Sequence, residues 1–144
     1  MAAGRRRASM TAFLDTNIVV YATLSDDPRR PTAERLLEAG GIVSVQVLNE
    51  FAAVASGELK RAWPRIRATL ALVRSRVERV RPLTEATHER AVALAADHGL
   101  SFYDALIVAA AQEAGCDTLY TEDMQDGRVF GALTLVNPFR DVGP

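Results

Sequence analysis

The chain has 144 residues, of which 49% are hydrophobic and 24% are charged, a composition typical of one globular domain and unlike that of a disordered chain. The formal net charge of -1 excludes a protein that attracts nucleic acid by its overall charge, so any such function must depend on local patches. The single cysteine, Cys116, excludes an internal disulfide framework and a cysteine-rich zinc site.

Residues 1–10 contain the run Arg5-Arg6-Arg7 and are predicted to be a disordered N-terminal extension, with Met10 as an alternative start. The predicted domain is 11–144. Asp15 and Asn17 interrupt the apolar stretch that a signal peptide would place after the basic segment. No apolar run approaches the roughly 20 residues that cross a bilayer. We therefore expect a cytoplasmic protein with no membrane association.

Strand-like and helix-like segments alternate along the domain. Apolar runs predict strands over 11–14, 42–45, 80–83, 118–121 and 133–136. Helices are predicted from Ile18 onwards and over 32–39, 47–56, 65–79, 84–98 and 101–114, with Thr32 and Thr84 as N-caps. Pro82 indicates an edge position for the third strand. The alternation predicts a single-domain three-layer α/β/α fold with a mainly parallel five-stranded sheet.

Four carboxylates occupy positions that suit chemistry better than packing. Asp15 ends the first strand and Asp123 follows the fourth, where open α/β sheets bind their ligands. Glu50 and Asp104 lie on the apolar stripes of their helices, with no basic residue at helical spacing to neutralise them. If the four converge, their like charges should raise some of their pKa values or be offset by a cation, and oxygen ligands suit Mg²⁺ or Mn²⁺. Such ions commonly act on phosphate substrates.

Some of these acids also have a structural interpretation. Ser101-x-x-Asp104 fits a helix capping box, in which Asp104 would stabilise the first turn. Asp123 and Asp126 could be plain turn residues. The combination of four acids in this order carries more weight than any one of them.

The motifs that contain these acids resemble those of one family. They are 13–17 (FLDTN), 44–51 (SVQVLNEF), 100–107 (LSFYDALI) and 119–127 (LYTEDMQDG). Together they resemble a PIN domain, and more narrowly the VapC-type ribonuclease toxins of bacterial toxin–antitoxin pairs. The resemblance extends from about residue 11 to residue 139.

The resemblance implies an acidic metal site at the carboxyl edge of the sheet. Its metal-binding acids would be Asp15, Glu50, Asp104 and Asp123, with Asn17 and Thr121 as supporting polar residues and Asp126 as an additional ligand. The implied reaction is hydrolysis of RNA phosphodiester bonds with Mg²⁺ or Mn²⁺, which leaves a 5′-phosphate. The implied partners are an antitoxin protein that blocks the acidic pocket and a second copy of the chain in a homodimer.

Binding of RNA also needs positive charge near the acids. The segment 60–81 holds eight Lys and Arg residues against one Glu, and Arg65, Arg67, Arg74 and Arg76 are the candidate phosphate contacts. Most such runs are only solvated helix faces. Trp63, Phe102 and Tyr103 could stack on bases, although packing is the favoured interpretation of all three.

Three other functions fit parts of the pattern. A haloacid-dehalogenase-like phosphatase would also use carboxylates and Mg²⁺, but it needs a second Asp where this chain has Asn17. A non-catalytic PIN-like module could bind RNA or an antitoxin without cleavage, which the intact set of four acids disfavours. A receiver domain would need a Lys after the late strands, and none is in the expected place.

Overall fold

The computed structural model describes residues 12–142, in which six strands form one sheet. They are β1 Ala12–Leu14, β2 Ile42–Ser44, β3 Arg79–Arg81, β4 Thr118–Tyr120, β5 Val129–Phe130 and β6 Leu133–Val136. The order across the sheet is β3-β2-β1-β4-β6-β5, and only β5 is antiparallel to its neighbour. The α/β prediction with a mainly parallel sheet is confirmed, and so is the edge position of the third strand. The predicted number of five strands is wrong.

The missed strand is β5, which has two residues and pairs with β6 across a tight turn. Gly131 in this turn has a φ of 62°, a backbone conformation that residues with a Cβ seldom adopt. Two residues are too few to produce an alternating pattern, so no periodicity in the sequence marks this strand.

Six α-helices connect the strands in the described part of the chain. They are α1 Thr16–Leu24, α2 Arg30–Glu38, α3 Val45–Ala53, α4 Trp63–Arg76, α5 Glu85–His98 and α6 Phe102–Glu113, and a short π-helix, Val54–Glu58, continues α3. Within residues 12–142, no single helix is long and apolar enough to span a membrane. The predicted extension 1–10 lies outside the described residues.

Capping residues set the helix starts, and one predicted cap is wrong. Thr84 caps α5 as predicted: its hydroxyl accepts from the backbone N–H of Thr87 at 3.1 Å. Thr32 does not cap α2, because that helix begins at Arg30 and already contains Thr32. Pro31 lies in its first turn, where a missing backbone N–H leaves no hydrogen bond unmade.

The core lies on both faces of the sheet. Phe13 and Leu14 of β1 point to opposite faces and are both fully buried, and so are Ile42 and Val43 of β2. A strand that is buried on both faces must be covered by helices from both sides, as in a three-layer fold. Cys116 is also buried, and burial raises the pKa of its thiol to about 11, which disfavours the reactive thiolate.

The ends of the parallel strands determine where the acids lie. The backbone N–H of Asp15 donates to the carbonyl of Tyr120 at 3.0 Å, and that of Thr121 donates to Val136 at 3.0 Å. These bonds hold the residues directly after β1 and β4 side by side. The carboxyl edge of the sheet is therefore the place where the predicted site can form.

Candidate active site

Asp15 is the buried centre of the acidic site. Its Oδ1 accepts from the backbone N–H of Thr16 at 2.7 Å, which also caps α1, and its Oδ2 accepts from the hydroxyl of Thr121 at 2.7 Å. Burial raises the pKa of Asp15 to about 7, although these two hydrogen bonds lower it. The charges of Asp123 and Glu50 raise this pKa further. Asp15 therefore holds its negative charge at a free-energy cost.

Glu50 approaches the site from α3. Its Oε1 accepts from the hydroxyl of Thr16 at 2.7 Å, and its Oε2 accepts from the side-chain amide of Gln46, one turn earlier, at 3.0 Å. Ser44 caps this helix at the end of β2, so the helix starts at the carboxyl edge. Thr16 thus joins Asp15 and Glu50, through its backbone N–H to one carboxylate and its hydroxyl to the other.

Asp123 lies in the exposed loop after β4. Its Oδ2 accepts from the side-chain amide of Asn17 at 3.0 Å, and its backbone N–H donates to the Thr121 hydroxyl at 3.2 Å. The amide oxygen of Asn17 accepts from the backbone N–H of Glu122 at 3.3 Å. Asn17 therefore contacts the side chain of Asp123, and Thr121 contacts the side chain of Asp15 and the backbone of Asp123.

Asp104 is partly buried in the first turn of α6. Burial raises the pKa of its carboxyl, the contact with Ser101 lowers it, and the charges of Asp123 and Glu50 raise it again. The Ser101 hydroxyl caps the helix by accepting from the backbone N–H of Asp104 at 3.2 Å. The first turn of α6 is thus capped by Ser101, and Asp104 is also affected by the charges of the other acids. Together these carboxylates form one electrostatic group, which consists of Asp15, Glu50, Asp104 and Asp123.

Asp126 is not brought into this group. Its Oδ1 accepts from the backbone N–H of Asn137 at 2.7 Å, and its Oδ2 forms a salt bridge with Arg140 at 2.8 Å. These contacts attach the segment after β6 to the loop after β4. Asp126 thus has a structural role, and none of these contacts reaches the four acids. Its role as an additional metal ligand stays a prediction.

None of the four carboxylates forms a salt bridge within residues 12–142. A nearby cation, Arg29, is already used: it binds Glu122 at 2.7 Å and Asp27 at 2.7 Å. Tyr21 also donates to Glu122, at 2.8 Å. This cluster holds Glu122, the residue before Asp123. Because Arg29 is paired there, it does not neutralise the acidic site.

The donor atoms of the four acids are of the kind that a hard divalent cation prefers. All the donors are oxygens, and the raised pKa values of Asp15 and Asp104 show that their negative charge is not offset. As they stand, however, no three His, Cys, Asp or Glu side chains among residues 12–142 are close enough to hold a metal ion.

A cavity of about 560 Å³ opens beside the acids. Its acidic side is lined by Glu50, Glu122 and Asp123, and its apolar side includes Val20 and Leu59. A volume of this size is within the range of roughly 300–1,000 Å³ that ligand sites occupy. The acids therefore border a space that can admit part of a larger molecule.

The predicted arginines do not all lie near this cavity. Helix α4 starts just after Leu59, which lines the cavity, and its 14 residues span about 20 Å. After it ends, Glu78 donates to the carbonyl of Gly41, immediately before β2, at 2.9 Å. Arg65 and Arg67 thus lie toward the acidic edge, and Arg74 and Arg76 lie toward the opposite edge. All four side chains are exposed.

Comparison with known proteins gives the family. The family model described as PIN domain matches residues 12–127. The chain belongs to the PIN domain family. No curated protein matches this PIN domain in sequence.

Several solved structures share the fold of this PIN domain. It is similar to the Mycobacterium tuberculosis toxin VapC20, a sarcin–ricin loop cleaving toxin: identity is 26%, the TM-score is 0.66, and 78% of this chain and 90% of that chain are covered. It is also similar to a chain of a Klebsiella pneumoniae toxin–antitoxin complex, with 24% identity, a TM-score of 0.67 and coverage of 89% and 98%. A third match, at 22% identity, is a chain of Rickettsia felis VapBC2 bound to a DNA fragment from its promoter, with a TM-score of 0.62 and coverage of 87% and 96%.

The resemblance indicated Asn17 and Thr121, but the sequence did not reveal the other residues that orient the acids. Thr16 and Gln46 hold the two oxygens of Glu50, and the Arg29–Glu122–Tyr21 cluster holds the loop of Asp123. The position of Gln46 four residues before Glu50 was a usable signal, because such residues are neighbours on a helix. The Arg29–Glu122 pair joins residues far apart in the chain, and no local pattern indicates it.

Proposed function

We propose that this PIN domain is a metal-dependent endoribonuclease and the toxin of a cytoplasmic toxin–antitoxin pair. The observation that carries the proposal is the electrostatic group of Asp15, Glu50, Asp104 and Asp123, which lacks a salt-bridged partner in the described chain. The family and the similarity to VapC20 support a nuclease. The similarity to chains of toxin–antitoxin complexes supports an antitoxin partner.

The four acids would hold one or two Mg²⁺ or Mn²⁺ ions. Such an ion, when bound, supplies an activated water and offsets negative charge on the phosphate. In this chain Thr121 and the Thr16 N–H orient the carboxylate of Asp15, and Thr16 and Gln46 orient that of Glu50. The hydrogen bonds to Asp15 favour its ionised form, which a metal ligand must have.

The side chain of the loop acid Asp123 has one hydrogen-bond partner among the described residues. Its side chain accepts from Asn17, and its position depends on Glu122, which Arg29 and Tyr21 bind. The same Asn17 stands where a haloacid-dehalogenase-like phosphatase would need a second Asp. Because its amide is used to orient Asp123, the geometry favours the nuclease over the phosphatase.

Cleavage of RNA tests the enzymatic half of the proposal. Purified protein should cut total cellular RNA in Mg²⁺ and not in EDTA, and Asp15→Asn should abolish the cut. Asp97→Asn is the matched control, because this exposed carboxylate lies in the last turn of α5, outside the acidic group. Equal cleavage by wild type and Asp15→Asn would contradict the assignment and favour a non-catalytic module.

Growth tests the toxin half. Expression of the chain alone should arrest bacterial growth, and Asp104→Asn should relieve the arrest. If wild type and Asp104→Asn are equally harmless at equal expression, the toxin proposal is wrong even if RNA is cleaved in vitro. The homodimer stays a prediction from the resemblance, and light scattering of the purified chain measures it directly.

A further inference from the structure

An aromatic cluster lies beside the acidic site and is exposed. The side chain of Tyr103, directly before Asp104, is 63% exposed, and that of Phe102 is 37% exposed. The sequence favoured packing for both rings, and for Tyr103 this prediction is wrong. The first turn of α6 points away from the core at these two positions, because the buried face of the helix starts only at Ala105. An exposed ring next to a candidate catalytic acid needs a functional explanation.

The rings support one another in a fixed arrangement. The Phe102 and Tyr103 centroids are 6.1 Å apart with an angle of 63° between the planes. Phe102 in turn meets His88 of α5, at 5.6 Å and 67°. Edge-to-face contacts of this kind favour one relative orientation. Tyr103 thus contacts Phe102, which in turn contacts a second helix.

Tyr103 also forms one wall of a cavity. The cavity has a volume of about 350 Å³ and is lined by Gln46, Asn49, Glu50, Ala53 and Tyr103. It therefore lies between α3 and α6, and it shares Glu50 with the larger cavity beside the acids. A ligand group in this cavity would be adjacent to the acidic site.

The lining residues have the chemistry that recognises a nucleobase. An aromatic ring stacks on the face of any base, and the exposed amide of Asn49 can both donate and accept hydrogen bonds at a base edge. Gln46 is mostly committed to Glu50, to which its amide donates. A neutral base fits this position, because it adds no charge next to Glu50.

We propose that Tyr103 and Asn49 form a pocket for one unpaired base of the RNA, next to the phosphate that is cut. The pocket would select unpaired nucleotides, because a base inside a duplex has no free face to stack. This proposal rests on the proposed ribonuclease function and names the part of the RNA that the site binds.

The test uses stacking itself as the readout. Single-stranded oligoribonucleotides carry 2-aminopurine at one position each, and its fluorescence is quenched when the base stacks. Binding is measured in EDTA, where the RNA stays intact, and cleavage is measured separately in Mg²⁺. The proteins are the wild type, Tyr103→Ala, Tyr103→Phe and Val129→Ala. Val129 is the matched control: it is 58% exposed on β5 and does not line this cavity.

We expect quenching at one position in the RNA, lost in Tyr103→Ala and kept in Tyr103→Phe and Val129→Ala. Loss of one base stack should weaken binding by about 5- to 150-fold. Tyr103 is exposed, so Tyr103→Ala should fold normally, and circular dichroism checks this.

Three results would overturn the proposal. If the wild type binds and cleaves RNA but no quenching depends on Tyr103, the pocket is wrong and the ribonuclease stands. If Tyr103→Ala binds RNA normally but no longer binds the antitoxin, the surface is a protein interface. If the wild type neither binds nor cleaves RNA, both the pocket and the proposed function are wrong.

Discussion

Asp15→Asn removes the most buried charge of the acidic group and keeps the shape of the side chain. Burial raises the pKa of Asp15 from 3.8 to about 7 in the folded chain. Between these values the folded chain retains a proton that the unfolded chain has lost, so the free energy of unfolding falls as the pH rises from about 4 to about 7. At about 1.4 kcal/mol per pH unit, an interval of about 3 units amounts to about 4 kcal/mol.

Asparagine avoids this loss because it does not ionise. Its amide oxygen can accept from the Thr16 N–H, and its amide nitrogen can donate to the Thr121 hydroxyl. Asp15→Asn should therefore match the wild type in stability near pH 4 and exceed it by up to about 4 kcal/mol above pH 7. The catalytically inactive variant is thus expected to be the more stable protein.

Urea unfolding in EDTA, repeated across this pH range, measures the difference. Asp97→Asn is again the control and should show no pH-dependent gap. Added Mg²⁺ should narrow the gap between wild type and Asp15→Asn, since a bound cation stabilises only the folded protein that holds it. A gap that does not change with pH, or an Asp15→Asn protein that is less stable above pH 7, would refute the reasoning.

Two further predictions concern the surroundings of the acids. Thr121→Val should lower the free energy of unfolding by about 1–3 kcal/mol, because it removes the hydroxyl that binds the buried Asp15. Thr121→Ser keeps that hydroxyl and should lower the free energy of unfolding less. Urea unfolding compares the two variants, and equal losses would contradict this account. Charge reversal of Arg65 and Arg67 should weaken RNA binding and reduce its salt slope by about 1.4, whereas reversal of Arg74 and Arg76 should not, because they lie at the far end of α4. A filter-binding salt titration measures the RNA affinity of both charge-reversal variants. Equal effects would contradict this placement of the arginines, because RNA would then contact both ends of α4 or neither end.

The strands and helices that carry strong local signals were predictable. The sequence located β6 to the residue, because its apolar run has sharp ends, and it located Thr84 as the cap of α5. It failed for β5, whose two residues carry no period, and for Thr32, because Pro31 allows the helix to start earlier. Local patterns succeed where one segment contains its own start and stop signals.

The sequence singles out the acids but only part of their surroundings. Asp15 stands out because it ends a strand, and Glu50 because charge on an apolar stripe is costly. The family resemblance adds Asp126, yet its carboxylate binds Arg140, a contact that depends on the path of the chain after β6. The exposure of Tyr103 likewise depends on how α6 leaves its first turn, which only the three-dimensional structure shows.

Binding of a divalent cation is the most direct test of the central claim, that four carboxylates from distant parts of the chain form one ion site. Electron paramagnetic resonance of Mn²⁺ titrated into the purified protein measures it without any substrate. Wild type and Asp97→Asn should bind Mn²⁺ equally well, Mg²⁺ should compete, and Asp104→Asn should bind clearly more weakly. A wild-type protein that leaves Mn²⁺ free, or an Asp104→Asn protein that binds it as tightly as wild type, would contradict the account.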